Sequence, residues 1–211
     1  MPSRFFITGT DTNVGKTVVS AMLCAALEAL YWKPIQTGSR EGTDRETVVQ
    51  LAGLAPARAL PEAYKFAPPV SPHLAAQRAG VRIDLAKIRM PRIGTDENLI
   101  VEGAGGALVP INATKLMTDL MRQLRLPVLL VARTSLGTIN HTLLSLAALR
   151  SAHLEVRGVI LAGKPNRDNC RAIEHYGDIR VAGTLTQLKK IDRRALLTNF
   201  KRHFDRKAFE S

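Results

Sequence analysis

The stretch Gly9-Thr10-Asp11-Thr12-Asn13-Val14-Gly15-Lys16-Thr17 constrains this chain more than any other. It follows the apolar run Phe5-Phe6-Ile7 and precedes a helical pattern from Val18 to Leu30. Strand, glycine-containing loop ending in Gly-Lys-Thr, then helix is the layout that cradles the phosphates of a nucleotide. The backbone N–H groups of such a loop and the helix N-terminus converge on one point, where they favour anionic oxygens. Lys16 is placed to set an ammonium on the outer phosphates, and Thr17 to offer a hydroxyl to Mg²⁺. Asn13, Val14, Gly15 and Val18 fall within the same cradle. The chain departs from the common pattern at one place: Thr10 stands where a glycine is usual, one residue after Gly9.

Strand patterns alternate with helical ones along the rest of the chain. Arg4 to Thr8 leads to a helix over Thr17 to Leu30, and a short run Trp32 to Ile35 ends at Gln36-Thr37-Gly38. Leu99 to Glu102 ends at Gly103-Ala104-Gly105-Gly106. The helical stretch Leu116 to Leu124 precedes a strand over Pro127 to Ala132, and the helical stretch Thr138 to Ser151 precedes a strand over Val156 to Leu161. This alternation predicts an α/β fold over residues 1–211, a single domain with a mostly parallel central sheet and helices on both faces. The strands read as continuous apolar runs, as strands covered on both faces do. Right-handed crossovers then bring the strand C-termini to one edge, where open α/β sheets carry their ligands. Residues 56 to 72, rich in Pro and Ala, read as an irregular connection.

Composition narrows the function classes. A length of 211 residues, 45% of them hydrophobic, suits one domain with a full core. No apolar run approaches the roughly 20 residues of a membrane helix. The N-terminus runs straight into the first strand, which leaves no room for a signal peptide. Cys24 and Cys170 form neither a metal-ligand spacing nor a disulfide framework; Cys24, in an apolar helix, reads as a small core residue. These features point to a reducing cytoplasm and away from a membrane. The net charge of +12, from 30 Lys+Arg against 18 Asp+Glu, raises the question of nucleic acid. Much of the charge falls late, at Lys189, Lys190, Arg193, Arg194, Lys201, Arg202, Arg206 and Lys207, with few aromatic residues to stack bases. That pattern reads as a solvated basic helix without a nucleic-acid partner.

Three further motifs fall at the predicted ligand edge. Lys33, in an apolar strand context beside Thr37 and Gly38, is a lysine that needs a partner or a task. Asp44 sits in a glycine-containing loop after that strand, and Glu102 ends a hydrophobic strand where a glycine-rich turn opens. Thr17, Asp44 and Glu102 would together supply the hard oxygens that Mg²⁺ takes alongside substrate phosphate. The segment Gly137-Thr138-Ile139-Asn140-His141 opens a helix, a place suited to capping or to an anion.

Taken in order, Gly-Thr-Asp-Thr-x-Val-Gly-Lys-Thr at 9–17, Lys-Pro-x-x-x-Gly at 33–38, Val-Glu-Gly-Ala-Gly-Gly at 101–106 and Leu-Gly-Thr-Ile-Asn-His at 136–141 resemble the dethiobiotin synthetases, with Ser71-Pro72-His73 also fitting. The resemblance runs from about residue 4 to 188 and implies a P-loop NTPase-like fold. It implies ATP and Mg²⁺ as cofactors and 7,8-diaminopelargonate and CO₂ as substrates. One amine would capture CO₂ as a carbamate, ATP would phosphorylate the carbamate oxygen, and the second amine would close the ureido ring with loss of phosphate. It further implies Lys33 as the catalytic lysine and Thr37 as the substrate-binding hydroxyl. Thr17, Asp44 and Glu102 would be the metal ligands, with Asn13 to Val18 and Glu102 to Gly105 (Gly103 and Ala104 included) around the nucleotide. Gly137, Thr138, Ile139 and Asn140 would receive the substrate's carboxylate from a neighbouring subunit, which implies a homodimer.

The chain departs from the family at the adenine-reading asparagine, where Ala162-Gly163-Lys164-Pro165 offers no amide at the first two positions. A late Gly-x-x-Pro-like turn is altered to Gly183-Thr184-Leu185-Thr186. The alternative reading is a regulatory ATPase of the chromosome- or septum-positioning type, dimeric and binding DNA or membrane. Asp11 argues against it, because those proteins carry an extra lysine at that place in the loop.

Overall fold

A computed structural model describes residues 2–209. In chain order, β1 (Arg4–Gly9) leads through the phosphate loop into α1 (Lys16–Leu27), followed by β2 (Leu30–Trp32), β3 (Ile35–Gln36) and α2 (Asp44–Ala52). Then come β4 (Ala59–Leu60), β5 (Tyr64–Lys65), α3 (Pro72–Arg78), β6 (Leu99–Gly106), α4 (Met117–Leu124), β7 (Val128–Arg133) and α5 (Thr138–Ser151). The last elements are β8 (Val156–Ala162), α6 (Arg167–Gly177), β9 (Val181–Leu185) and α7 (Arg193–His203). Seven strands form one parallel sheet in the order β4-β2-β6-β1-β7-β8-β9, and β3 pairs with β5 apart from it.

The winding reverses at β1. Strands formed before β7 lie on one side of it and later strands on the other, so the loop after β1 opens at the switch point where such sheets bind ligands. Side chains alternate between two cores. Phe6, Trp32, Val101, Leu130 and Leu161 face one layer, whereas Ile7, Tyr31, Ile100, Leu129 and Ile160 face the layer that holds α1. Burial on both faces accounts for the unbroken apolar runs of the sequence. Among the described residues, no helix is long and apolar enough to cross a membrane.

Several element boundaries differ from the sequence expectations. The first helix stops at Leu27, because Glu28 turns left-handed (φ 51°) and its N–H donates to the Cys24 carbonyl. Leu30 is thereby released to pair with Leu99 in the sheet. The run Trp32 to Ile35 is not one strand. Pro34 lacks the N–H a sheet ladder needs, and the chain breaks there into β2 and β3. Asp44 is not a loop residue but the first residue of α2. Thr43 caps that helix, accepting from the Glu46 N–H while the Glu46 carboxylate accepts from the Thr43 N–H. The strand bearing Glu102 continues to Gly106, with a register slip against β1 between the pairs Ile7–Glu102 and Gly9–Gly106. Residues 56 to 72 contain two short strands, one of which extends the main sheet. The basic C-terminal region is largely exposed, as expected, yet Arg193 donates to the Ala52 carbonyl and ties α7 to α2.

Candidate active site

Register builds the site. Tyr31 pairs with Ile100 and Trp32 with Val101, which brings Lys33 alongside Glu102. Side chains two apart on a strand share a face. Tyr31, Lys33, Ile100 and Glu102 therefore project toward α1, where Thr17 stands in the first turn. On the opposite side the capping box of α2 delivers Asp44, whose N–H donates to Gln36 Oε1 at 3.1 Å.

The result is a closed network. Lys33 Nζ lies 2.8 Å from Asp44 Oδ2 and 3.1 Å from Glu102 Oε1. Thr17 Oγ1 lies 2.6 Å from Asp44 Oδ1 and 3.0 Å from Glu102 Oε1. Tyr31 donates its hydroxyl to Glu102 Oε2 at 3.1 Å. Lys33 and Glu102 are 6% and 1% exposed, so neither charge is balanced by bulk water. Burial works against the Lys33 ammonium, but the Glu102 and Asp44 carboxylates outweigh it and hold the lysine above its ordinary value. Burial likewise raises Asp44, but the attraction and hydrogen bond of Lys33, with those of Thr17 and Gln36, carry it below the usual range. Tyr31 is pushed well up by burial and by the Glu102 charge, and it remains a neutral donor.

The phosphate loop lies alongside. Gly15 adopts φ 99°, a left-handed conformation that suits glycine, and turns the chain into α1. Lys16 folds back so that Nζ donates to the Asp11 carbonyl at 2.8 Å. Burial lowers Lys16 to about 8 despite the nearby carboxylates. Thr17, Lys33, Thr37, Asp44, Glu102 and Lys16 line a common cleft of about 650 Å³. Asn13, Gly15, Val18, Ala104 and Gly105 line it too, whereas Gly103 packs against Phe6. Pro69, Val70 and Pro72 give the cleft an apolar wall.

The oxygen donors fit Mg²⁺. Thr17, Asp44 and Glu102 gather hard oxygens with a single hydroxyl proton among them, and a lysine ammonium already bridges the two carboxylates. The donors come from α1, α2 and β6, which fixes their spacing.

Gly137 to Asn140 is not brought into this cleft. The segment follows β7, beyond β1 from Lys33. The Thr138 hydroxyl is spent on the Arg133 carbonyl at 2.5 Å, and Ile139 packs against the core. Asn140 and His141 are exposed. A second cleft of about 690 Å³ opens on that side of the phosphate loop. It is lined by Asn13, Val14 and Gly15, and by Arg133, Thr134, Gly163 and Gln187 among others. Gly163 has φ +137°, and a Cβ there would run into the Thr134 hydroxyl. Sequence reasoning missed Tyr31, Gln36 and Gln187. Tyr31 alone had a signal, since it stands two residues before Lys33 and so on the same strand face.

Comparison with known proteins identifies the family. A family model described as "AAA domain" matches residues 3–195. The ATP-dependent dethiobiotin synthetase BioD of Agrobacterium fabrum is 49% identical over 97% of this chain and 96% of its own length. That of Rhodopseudomonas palustris is 46% identical over all of both chains, and that of Brucella melitensis biotype 2 is 48% identical over 97% and 95%. Among solved structures, the MinC:MinD cell division protein complex of Aquifex aeolicus aligns with TM-score 0.58 at 14% identity, over 95% of each chain. A ParA family ATPase from Chlorobium tepidum aligns with TM-score 0.51 at 12% identity, over 94% and 90%. Those two likenesses carry the P-loop α/β fold and nothing finer. On the full-length matches, the chain belongs to the AAA domain family and, within it, to the ATP-dependent dethiobiotin synthetases.

Proposed function

We propose that the chain closes the ureido ring of dethiobiotin from 7,8-diaminopelargonate, CO₂ and ATP, with formation of ADP and phosphate. The observation that carries this reading is the buried Lys33 ammonium held between Asp44 and Glu102 at the mouth of a phosphate cradle. A carbamate oxygen is a poor leaving group and becomes a good one once phosphorylated. The ring-closing amine is tethered to the same substrate, so alignment supplies much of the rate. The enzyme has to align the carbamate with the γ-phosphate and neutralise the charge that passes between them.

Each residue has a part in that task. Lys16 and the loop N–H groups from Asn13 to Val18 hold the phosphates. Lys33 stabilises charge on the oxygen that joins carbamate and γ-phosphate. The Thr37 hydroxyl binds the substrate, whose methylene chain suits the wall of Pro69, Val70 and Pro72. Thr17, Asp44 and Glu102 would hold Mg²⁺, and Glu102 to Gly105 border the nucleotide. When bound, the metal supplies neutralisation of phosphate charge. The base takes the second cleft, where the exposed Gln187 and Asn166 both carry amide side chains.

Gly137 to Asn140 reads the substrate carboxylate across a homodimer. Two observations support this: the segment stands outside its own chain's Lys33 cleft, and Leu136 and Leu144 beside it are exposed apolar residues that a second subunit would cover. The working compartment is the reducing cytoplasm, consistent with the free cysteines Cys24 and Cys170.

The test is phosphate release with diamine, bicarbonate, Mg²⁺ and ATP, omitting each in turn. Release that requires both the diamine and bicarbonate is expected. Release that ignores the diamine and rises with DNA would replace this reading by the positioning-ATPase one.

A further inference from the structure

We propose that Tyr31 is a positioning residue for Glu102, whose hydroxyl turns the carboxylate so that Oε1 faces Thr17 and Lys33. The inference rests on the reading of Glu102 as a Mg²⁺ ligand. Tyr31 is fully buried in the layer beneath α1 and donates to Glu102 Oε2 at 3.1 Å. A buried phenol needs an acceptor, and a main-chain carbonyl would serve packing equally well. Here the acceptor is the acidic side chain of the site.

The two carboxylate oxygens have separate tasks. Oε2 points back to Tyr31, whereas Oε1 lies 3.0 Å from the Thr17 hydroxyl and 3.1 Å from Lys33 Nζ. Fixing one oxygen fixes the plane of the group and hence the direction of the other. A ligand held in advance loses less freedom when a cation arrives. Without the hydroxyl, Oε2 is left without a donor in a buried place. Glu102 then rotates to recover a bond from Lys33 or Thr17, and that rotation removes Oε1 from the cation position. β2 and the residue that follows it thus bring two side chains to the site: Lys33 toward the reacting charge, and Tyr31 behind the carboxylate that faces it.

The experiment compares Tyr31→Phe, Glu102→Gln and the double variant. Phenylalanine keeps the ring, so the melting temperature checks that packing survives. Two quantities report on the site: the Mg²⁺ concentration for half-maximal phosphate release, and calorimetric affinity for a non-hydrolysable ATP analogue with and without Mg²⁺. Tyr31→Phe is expected to raise the half-saturating Mg²⁺ about five- to tenfold, the size of one lost hydrogen bond to a charged or neutral group. The Mg²⁺-dependent gain in analogue affinity falls by the same factor, Mg²⁺-free affinity stays unchanged, and Tyr31→Phe adds little in the Glu102→Gln background. A lower melting temperature with unchanged Mg²⁺ dependence makes Tyr31 a packing residue and overturns the proposal. So does full additivity in the double variant. If Glu102→Gln itself leaves Mg²⁺ dependence unchanged, the reading of Glu102 fails first, and Tyr31 loses its role with it.

Discussion

On the β2–β6 side of the phosphate loop, polar side chains are bonded to one another; on the β7–β9 side, several face open space. Lys33, Asp44, Glu102, Thr17 and Tyr31 make a network in which every member has a partner within 3.1 Å. Across the loop, Gln187 and Lys164 are exposed, and Asn166 spends its side-chain oxygen capping α6. The loop between the two clefts is shared, so the difference lies in the strands beside it. Charge transfer requires buried groups at fixed distances, and regular strands with a locked register provide them. Recognition of a base tolerates exposed side chains on loops. Substitutions on the first side therefore disturb several groups together, whereas those on the second act singly.

The largest expected effect is that of Lys33→Ala. Turnover falls by about 10²–10³-fold, as for loss of a donor that stabilises developing charge. Affinity for a non-hydrolysable ATP analogue remains largely intact, because Lys16 and the loop are untouched. Removal of the ammonium also leaves Asp44 and Glu102 as unbalanced neighbours and lowers stability by about 3–5 kcal/mol. Mg²⁺ restores part of that loss, visible as a larger Mg²⁺-induced rise in melting temperature than in the parent protein. Near-normal turnover would remove Lys33 from the chemistry and break the contrast between the two sides.

The next effect is a pH dependence from the loop itself. Burial disfavours the charged form of Lys16 and sets it at about 8 before nucleotide binds. Phosphate favours the charged form, so binding takes up a proton once the pH exceeds that value. Affinity is therefore flat below about pH 7 and about tenfold weaker at pH 9 than at pH 7, with proton uptake seen by calorimetry in buffers of different ionisation enthalpy. A flat profile to pH 9 would show that Lys16 is not set by burial.

The smallest effect belongs to the open side. Gln187→Ala is expected to change the ratio of kcat/KM between ATP and other nucleoside triphosphates by about two- to tenfold, with kcat at saturation unchanged. A fall in kcat would mean that the second cleft is coupled to the first.

Much of the wired side was readable from the chain itself. Lys16, Thr17, Lys33 and Glu102 each sit in a local pattern, a glycine turn or an apolar run, that fixes the residue's place at a strand or helix end. Asp44 reads as a loop residue in the sequence, whereas the capping box of Thr43 and Glu46 makes it helical. β4 and β5 are two residues each and carry no periodicity. Tyr31 is not singled out by the sequence, because its partner lies 71 positions away and only the β2–β6 register joins them. The open cleft was least readable. It is assembled from the ends of β7, β8 and β9, and one of its lining residues, Gly163, matters through a backbone angle.

That angle makes two positions dependent on each other over mutational time. An amide side chain at 163 must overcome both φ +137° and the hydroxyl of Thr134. Gly163→Asn alone collides, and Thr134→Ala alone removes the hydroxyl but leaves φ +137° in place. Neither step is useful without the other, and the strand end must also turn. A lineage with this backbone is held away from side-chain recognition at that spot, and altered base preference is more accessible through the exposed side chains opposite.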